Sequence, residues 1–262
     1  LDWGCGSGVA GRRVIGKFGP QSFGALKVWD HSEAARDFSR QRAEKEFPGL
    51  PIGDGEGLLK GSEPIGLLVI SHVLNELQPS AIGEIGGLVA RASAVIWTEP
   101  GSRETSRALG GLRNQWSSDL RIVAPCTHAN TCPILEEGNE RHWCHFFAPP
   151  PSLIFADSNW VKFGQRAGID LRSLPYSFIA LDRAWRGPPE GMSRVIGRPE
   201  SFKPYVRLLN CDASGLAELS VMRRDCRALC KELEKDKRPL VYEWNKVGLT
   251  VTSGASVRTK TA

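Results

Sequence analysis

The chain has 262 residues, 41% of them hydrophobic and 24% charged, a composition that fits a soluble protein with one sizeable core and a small appended unit. No apolar stretch reaches the roughly eighteen residues that a membrane helix needs; the longest, residues 64–77, is interrupted by His72, Asn75 and Glu76. The net charge of +5 is uneven, because 14 of the 34 basic but only 9 of the 29 acidic residues lie from residue 190 onward, a balance compatible with a polyanion partner such as RNA or with a plain solvated surface.

In chain order, residues 1–3 read as the end of a strand, 9–18 as a helix, 24–29 as a second strand and 32–47 as a charged helix with Ser32 placed to cap it. A short third strand is expected near 50–52. The apolar run 65–71 suits a strand buried on both faces, followed by a helix at 81–92, a strand at 94–97 and a helix at 102–118. This alternation is the rhythm of a doubly wound parallel sheet. Two further strands, 122–123 and 176–181, flank a Cys-bearing, Pro-rich segment. Beyond Pro188-Pro189 the pattern becomes β-rich, with strands at 193–196, 204–211 and 216–222 and a helix at 225–235; the polar tail from 250 is expected to be disordered. The domains expected are therefore 1–124 with 176–187, a Cys-rich insertion at 125–175, a small basic unit at 188–249 and the tail 250–262. The sequence opens without Met inside a strand-like segment, so a longer protein with any targeting signal ahead of residue 1 is expected.

The loop Asp2-Trp3-Gly4-Cys5-Gly6-Ser7-Gly8 has glycine at every second position after an acidic residue, as nucleoside-binding loops of methyltransferases do. Gly6-x-Gly8-x-x-Gly11 also satisfies the dinucleotide fingerprint, and both loops use glycine so that backbone can approach a ligand at a strand-to-helix turn. The surroundings favour S-adenosylmethionine. Asp30 closes the second strand, where its carboxylate can accept from both ribose hydroxyls; Asp54 closes the third, near an adenine amine; Ser71 and His72 would line the other wall. Asp30 fits a dinucleotide equally well, so Asp2 and Asp54 discriminate more.

Seven cysteines without a secretory signature argue for thiols. The spacing Cys126-x5-Cys132-x11-Cys144 lacks the tight knuckles of a zinc ribbon and leaves a fourth ligand to find. Cys211, at the end of a predicted strand before the turn Asp212-Ala213-Ser214-Gly215, is the best candidate, with His128, His142 and His145 as nitrogen alternatives. Cys226 and Cys230 share a helix face, which suits packing, and Cys5 suits a small buried residue. All-thiolate ligation suits an iron-sulfur cluster or zinc.

The succession LDWGCGSG, VWDHS, VISHVLNEL, IWTEPGS, APCTHANTCP, HWCHF and a late strand cysteine resembles the methyltransferase-like assembly factors of the small ribosomal subunit, found in mitochondria and bacteria. The resemblance covers nearly the whole chain. It implies an α/β, doubly wound S-adenosylmethionine-dependent methyltransferase-like sheet with a Cys-rich metal-binding insertion and a small β-rich C-terminal unit. It also implies an S-adenosylmethionine pocket at Asp2, Gly4, Gly6, Gly8 and Asp30, and a [4Fe-4S] cluster, with zinc as the alternative, on Cys126, Cys132, Cys144 and Cys211. The implied role is small-subunit biogenesis in contact with ribosomal RNA, in the mitochondrial matrix of a eukaryote or the cytoplasm of a bacterium, as a monomer and without a membrane. The excess basic charge makes Arg194, Arg198, Lys203, Arg207, Arg223 and Arg224 the expected RNA contacts. No Asp/Asn-Pro-Pro-Tyr/Phe motif is present, and Asn75, Glu76 and Glu99-Pro100 are the candidates for the substrate side. Three functions stand at this point: an assembly factor that binds without turnover, an active RNA methyltransferase, and a dinucleotide-dependent oxidoreductase with a metal cluster.

Overall fold

Helices and strands alternate through the first half of the chain in the computed structural model, which describes residues 1–188, 190–235 and 241–257. The elements are β1 (Asp2–Trp3), α1 (Val9–Phe18), β2 (Leu26–Trp29), α2 (Glu33–Glu46), β3 (Ile52–Asp54), α3 (Glu56–Lys60), β4 (Ile65–Ser71), α4 (Pro79–Arg91), β5 (Ala92–Pro100), α5 (Arg103–Trp116) and β6 (Arg121–Ala124). They continue with β7 (Phe146–Phe147), α6 (Leu153–Ala156), α7 (Ser158–Ala167), β8 (Pro175–Asp182), β9 (Met192–Ser201), β10 (Tyr205–Asp212), β11 (Gly215–Met222), α8 (Arg227–Lys235), β12 (Val241–Val247) and β13 (Thr250–Ser256). The chain divides into two compact units, Leu1–Glu99 with Trp116–Arg121 and Ile179–Trp185, and Pro100–Gln115 with Ile122–Phe178 and Arg186–Ala262. That division differs from the one drawn from composition, whose boundary residue Pro189 lies outside the described residues.

The sheet runs β3-β2-β1-β4-β5-β8-β6, with β7 antiparallel to β8. β1 pairs in parallel with both β2 and β4, Asp2 lying opposite Val28 on one side and Val69 on the other. The apolar run of β4 behaves as a doubly covered strand should, with Leu68 and Ile70 fully buried. Trp97 on β5 is likewise buried and stacks on Trp116 at 5.5 Å. Ser32 caps α2 by accepting from Ala35 N at 3.3 Å, which satisfies one of the free amides of the first turn. Strand order reverses between β1 and β4, so the carboxyl ends of these strands diverge and leave a crevice there.

In the second unit, β10-β11-β13-β12-β9 close a five-stranded barrel. Its interior is Val195, Val206, Leu208, Leu219, Val221, Tyr242 and Val251, with Leu229, Cys230 and Leu233 of α8 packed into the same core. The polar tail read as disordered instead supplies β13, which pairs antiparallel with β12 and in parallel with β11. One inward side chain, Val251, is enough to anchor it, because the rest of its stabilisation comes from ladder hydrogen bonds that composition does not reveal. Residues 258–262 of that tail lie outside the described residues. The Cys-rich 125–175 segment contains β7, α6 and α7; Asp157 caps α7 through Asn159 N, and Gly168 ends it in the left-handed conformation.

Candidate functional site

The crevice at the β1/β4 reversal is a cleft of about 620 Å³, of a size that takes a nucleoside cofactor. Its walls are the glycine loop after β1, Trp29-Asp30-His31 after β2, Ser71-His72-Val73 after β4, and the start of α4. Gly4, Gly6 and Gly8 all have positive φ, at 67°, 49° and 70°, so the loop turns by conformations that cost other residues. At Gly4 a Cβ would also fall 2.6 Å from Val73 Cγ1, which fixes the β1 loop against the β4 loop. Asp30 is buried; its Oδ2 accepts from Gly6 N at 2.9 Å and its Oδ1 from Ser32 N at 3.0 Å. Each oxygen keeps a lone pair for a ligand hydroxyl. Ser71 Oγ lies 2.9 Å from His72 Nδ1, and His72 itself has φ 59°, a left-handed conformation unusual for a non-glycine residue and one met at ligand sites.

Of the residues expected in this pocket, Gly4, Gly6, Asp30, Ser71 and His72 line the cleft, whereas Asp2, Gly8 and Asp54 do not. Asp54 Oδ2 is taken by Arg36 Nε at 3.1 Å and its Oδ1 by Glu56 N at 2.7 Å, so it braces β3 against α2 and α3. Asp2 is buried beneath the loop, its Oδ2 accepting from Gly11 N at 3.0 Å. This contact separates the two cofactor readings. A dinucleotide's diphosphate binds to the free amides of the first helical turn; here one of them is already occupied by a side-chain carboxylate.

Burial pushes the Asp2 carboxyl from 3.8 up to about 6, against the opposing pull of the Gly11 amide. The native carboxyl therefore holds its proton to higher pH than the unfolded one. Its stability contribution is complete below 3.8 and is lost as pH rises through about 6, on the order of 3 kcal/mol over the whole window. In urea melts at pH 5 and pH 7.5, the Asp2→Asn chain is expected to gain roughly 1–2 kcal/mol on the wild type as pH rises. Parallel pH profiles would contradict this placement of the charge.

Glu99, expected on the substrate side, is fully buried and not part of the cleft lining. Its Oε1 accepts from Val73 N and Leu74 N, both at 3.1 Å, and from Trp97 Nε1 at 2.5 Å. Burial raises its carboxyl above the usual range, and these three bonds pull it back. Glu99 thus sets the β4 loop that faces Gly4, while Glu76 and Glu84 bring carboxylates into the cleft itself.

The second group of interest lies wholly within the other unit. All seven cysteines are free thiols. Cys132 and Cys144 pack against the buried cluster Ile134, Ile196 and Cys211. The Cys144 thiol is raised well above its ordinary range, first by burial and then by Cys126, Cys211 and Cys132. Among the described residues, however, no three His, Cys, Asp or Glu side chains form a group that could hold a metal ion.

The surroundings of these thiols are cationic and rich in donors. Arg113 is buried, donating to Asn130 O and to His128 O at 2.9 Å; Arg194 Nε donates to Pro125 O at 2.7 Å. Among the described residues neither guanidinium is paired with a carboxylate, and Arg194 is coupled to Cys144, Cys126 and Cys211. Arg113 Nε, Thr127 Oγ1 and His128 Nδ1 are buried with no hydrogen-bond partner. His128 Nε2 lies 3.5 Å from Cys211 Sγ. The Cys144 carbonyl is held by Ser106 Oγ at 2.6 Å and Ser177 Oγ at 2.7 Å, and Cys132 N by Asn114 Oδ1 at 2.9 Å, so α5 is the scaffold of the cysteine segment. Sequence reading passed over Arg107, Arg113 and Asn114. Their signal is polar residues at helical spacing just before the Cys run.

Cys226 and Cys230 pack along α8, with Cys226 Sγ 3.1 Å from Thr252 O and Cys230 in the barrel core. Burial pushes the Cys5 thiol up to about 12, which suits a small buried residue. His142 and His145 line a separate groove with Arg198 and Arg207. Of the six cations expected to meet RNA, Arg194 is half-buried, with its Nε donating to Pro125 O. Arg207, Arg223 and Arg224 pair with Glu200, Glu234 and Asp225, Arg198 lies 3.8 Å over the Phe147 ring, and Lys203 is exposed.

The family whose description is mitochondrial small ribosomal subunit Rsm22 matches residues 30–231, more than three quarters of the chain and all four cysteines of the cluster. The chain belongs to the Rsm22 family. The glycine loop stands just ahead of the matched segment, which begins at Asp30. No curated protein matches the Rsm22-family chain. Among solved structures it is similar to magnesium protoporphyrin IX methyltransferase from Synechocystis PCC 6803 with bound SAM, at 13% identity and TM-score 0.38 over 70% of this chain and 68% of that one. It is also similar to the N-methyltransferase NodS from Bradyrhizobium japonicum WM9, at 13% identity and TM-score 0.39 over 72% and 85%. Among the described residues, no helix is long and apolar enough to cross a membrane.

Proposed function

We propose that this Rsm22-family chain is a methyltransferase-like assembly factor of the small ribosomal subunit that binds S-adenosylmethionine in the β1/β4 cleft and carries a [4Fe-4S] cluster on Cys126, Cys132, Cys144 and Cys211. The observation that carries the reading is the cleft itself: alternating glycines and the Asp30 carboxylate face one space, while Asp2 occupies the amide that a diphosphate would use. Asp30 would hold the ribose hydroxyls, the Gly4–Gly6 backbone would approach the methionyl part, and Ser71 and His72 would close the opposite wall. S-adenosylmethionine supplies an activated methyl group when bound. For transfer, the chain's part is to align donor and acceptor, which by itself lowers a barrier substantially; binding without transfer would use the same contacts.

Four thiols are a donor set that would hold a [4Fe-4S] cluster. Four thiolates on a [4Fe-4S]²⁺ core leave two net negative charges, which the unpaired guanidiniums of Arg113 and Arg194 balance. The buried donors of Arg113 and Thr127 suit its sulfides.

The reading is tested by incubating the anaerobically purified full chain with methyl-labelled S-adenosylmethionine and small-subunit precursors, measuring co-sedimentation and label in the RNA together. Co-sedimentation without label is expected of an assembly factor, and label in the RNA would move the reading to the active methyltransferase. No co-sedimentation would sink both.

A further inference from the structure

We infer that the barrel of the second unit binds single-stranded RNA by stacking nucleobases on an aromatic and guanidinium strip along β9 and β10. The inference deepens the proposed role in small-subunit assembly by locating its RNA surface. Three observations carry it. The barrel order, first-second-third-fifth-fourth strand and back to the first, with α8 between the third and fourth, is that of oligonucleotide-binding barrels, which take their ligands across strands two and three and the loops after strands one and four. Here these are β10, β11 and the loops 202–204 and 248–249. The register places both loops at one end of β11, since Tyr205 pairs with Met222 and Thr250 with Ser220.

The second observation is chemical. At that end Phe202, 36% exposed, stacks on Tyr205 at 4.9 Å, and the Arg207 guanidinium lies 5.2 Å from the Phe202 ring. Arg207 and Arg198 then line a groove of about 400 Å³, and Arg198 covers Phe147, whose ring meets His145 edge-on at 5.4 Å. Aromatic and guanidinium planes are what unpaired bases stack on, and every base has such a face.

The third is charge. The groove's carboxylates, Glu200 and Glu218, are each paired, with Arg207 and Arg141, so that among the described residues Arg198 in the groove and the exposed Lys203 of the 202–204 loop have no carboxylate partner and remain for phosphates. With so few free cations, stacking and not phosphate contact dominates, and the salt dependence is shallow: a log–log slope of about −1.4 for two phosphate contacts on a single strand.

Fluorescence anisotropy with the full chain tests this, using a labelled twelve-nucleotide oligoadenylate alone and annealed to its complement. The wild type is expected to prefer the single strand, Phe202→Ala to weaken it roughly tenfold or more, and Phe202→Trp to restore it. Circular dichroism of the exposed-loop variants checks that the barrel is intact. Undiminished single-strand affinity in an intact Phe202→Ala/Arg198→Ala chain would overturn the surface while leaving an RNA-binding assembly factor standing. Equal affinity for duplex and single strand would also overturn it. A wild type that binds neither strand nor small-subunit RNA would take down both readings.

Discussion

Cys144→Ser protein, purified without oxygen, is expected to lose its brown absorbance and acid-labile sulfide together and to become less stable in the second unit. The Cys144 carbonyl is fixed by Ser106 and Ser177, so the serine should sit where the cysteine did and the loss should reflect the missing ligand. Because the four cysteines join the 126–144 segment to the end of β10, cluster binding free energy is also folding free energy. Its loss is expected to cost several kcal/mol, read as a fall in the denaturant midpoint. Removing the cluster would also leave Arg113 buried without its counter-charge, which adds to the penalty. Cys226→Ser, just ahead of α8 and packed against the barrel core, is expected to keep full iron and sulfide content. Stoichiometric zinc without sulfide in the anaerobic wild type would contradict the cluster.

Asp30→Ala is expected to weaken S-adenosylmethionine binding by about 1.5–3 kcal/mol, roughly ten- to a hundredfold, because a charge-assisted acceptor for two hydroxyls is removed. The same carboxylate ties the Gly6 and Ser32 amides in the free protein, so some stability is lost as well. Asp54→Ala separates the two effects. It removes a carboxylate that the sequence placed in the pocket and the structure places on Arg36 and Glu56, and it should change stability with little change in affinity.

Much of the first unit was legible because its signals are local. The apolar run of β4, the Ser32 cap and the positive-φ glycines are each written within a few residues, and their order names the sheet. Asp2 and Asp54 show where local reading ends. Both carboxylates close strands, as pocket residues do, but which way each turns depends on Gly11 and Arg36, residues on neighbouring elements. Likewise Arg194 reads as one more basic residue of a basic segment, and only the fold half-buries it against Pro125. The barrel was half visible: β10 and β11 alternate clearly, whereas β13 holds one buried apolar residue and looks like a solvated tail until β11 and β12 pair with it. Its closed order is a property of long-range pairing that no window of sequence contains.

The central claim concerns what the β1/β4 cleft holds, and calorimetric titration of the same anaerobically purified full chain with S-adenosylmethionine and with NADH tests it most directly. One equivalent of S-adenosylmethionine binding, weakened ten- to a hundredfold in Asp30→Ala, with no heat from NADH, is the predicted result. NADH binding with no S-adenosylmethionine binding would contradict it, and would mean that the Asp2 carboxylate yields the Gly11 amide to a diphosphate.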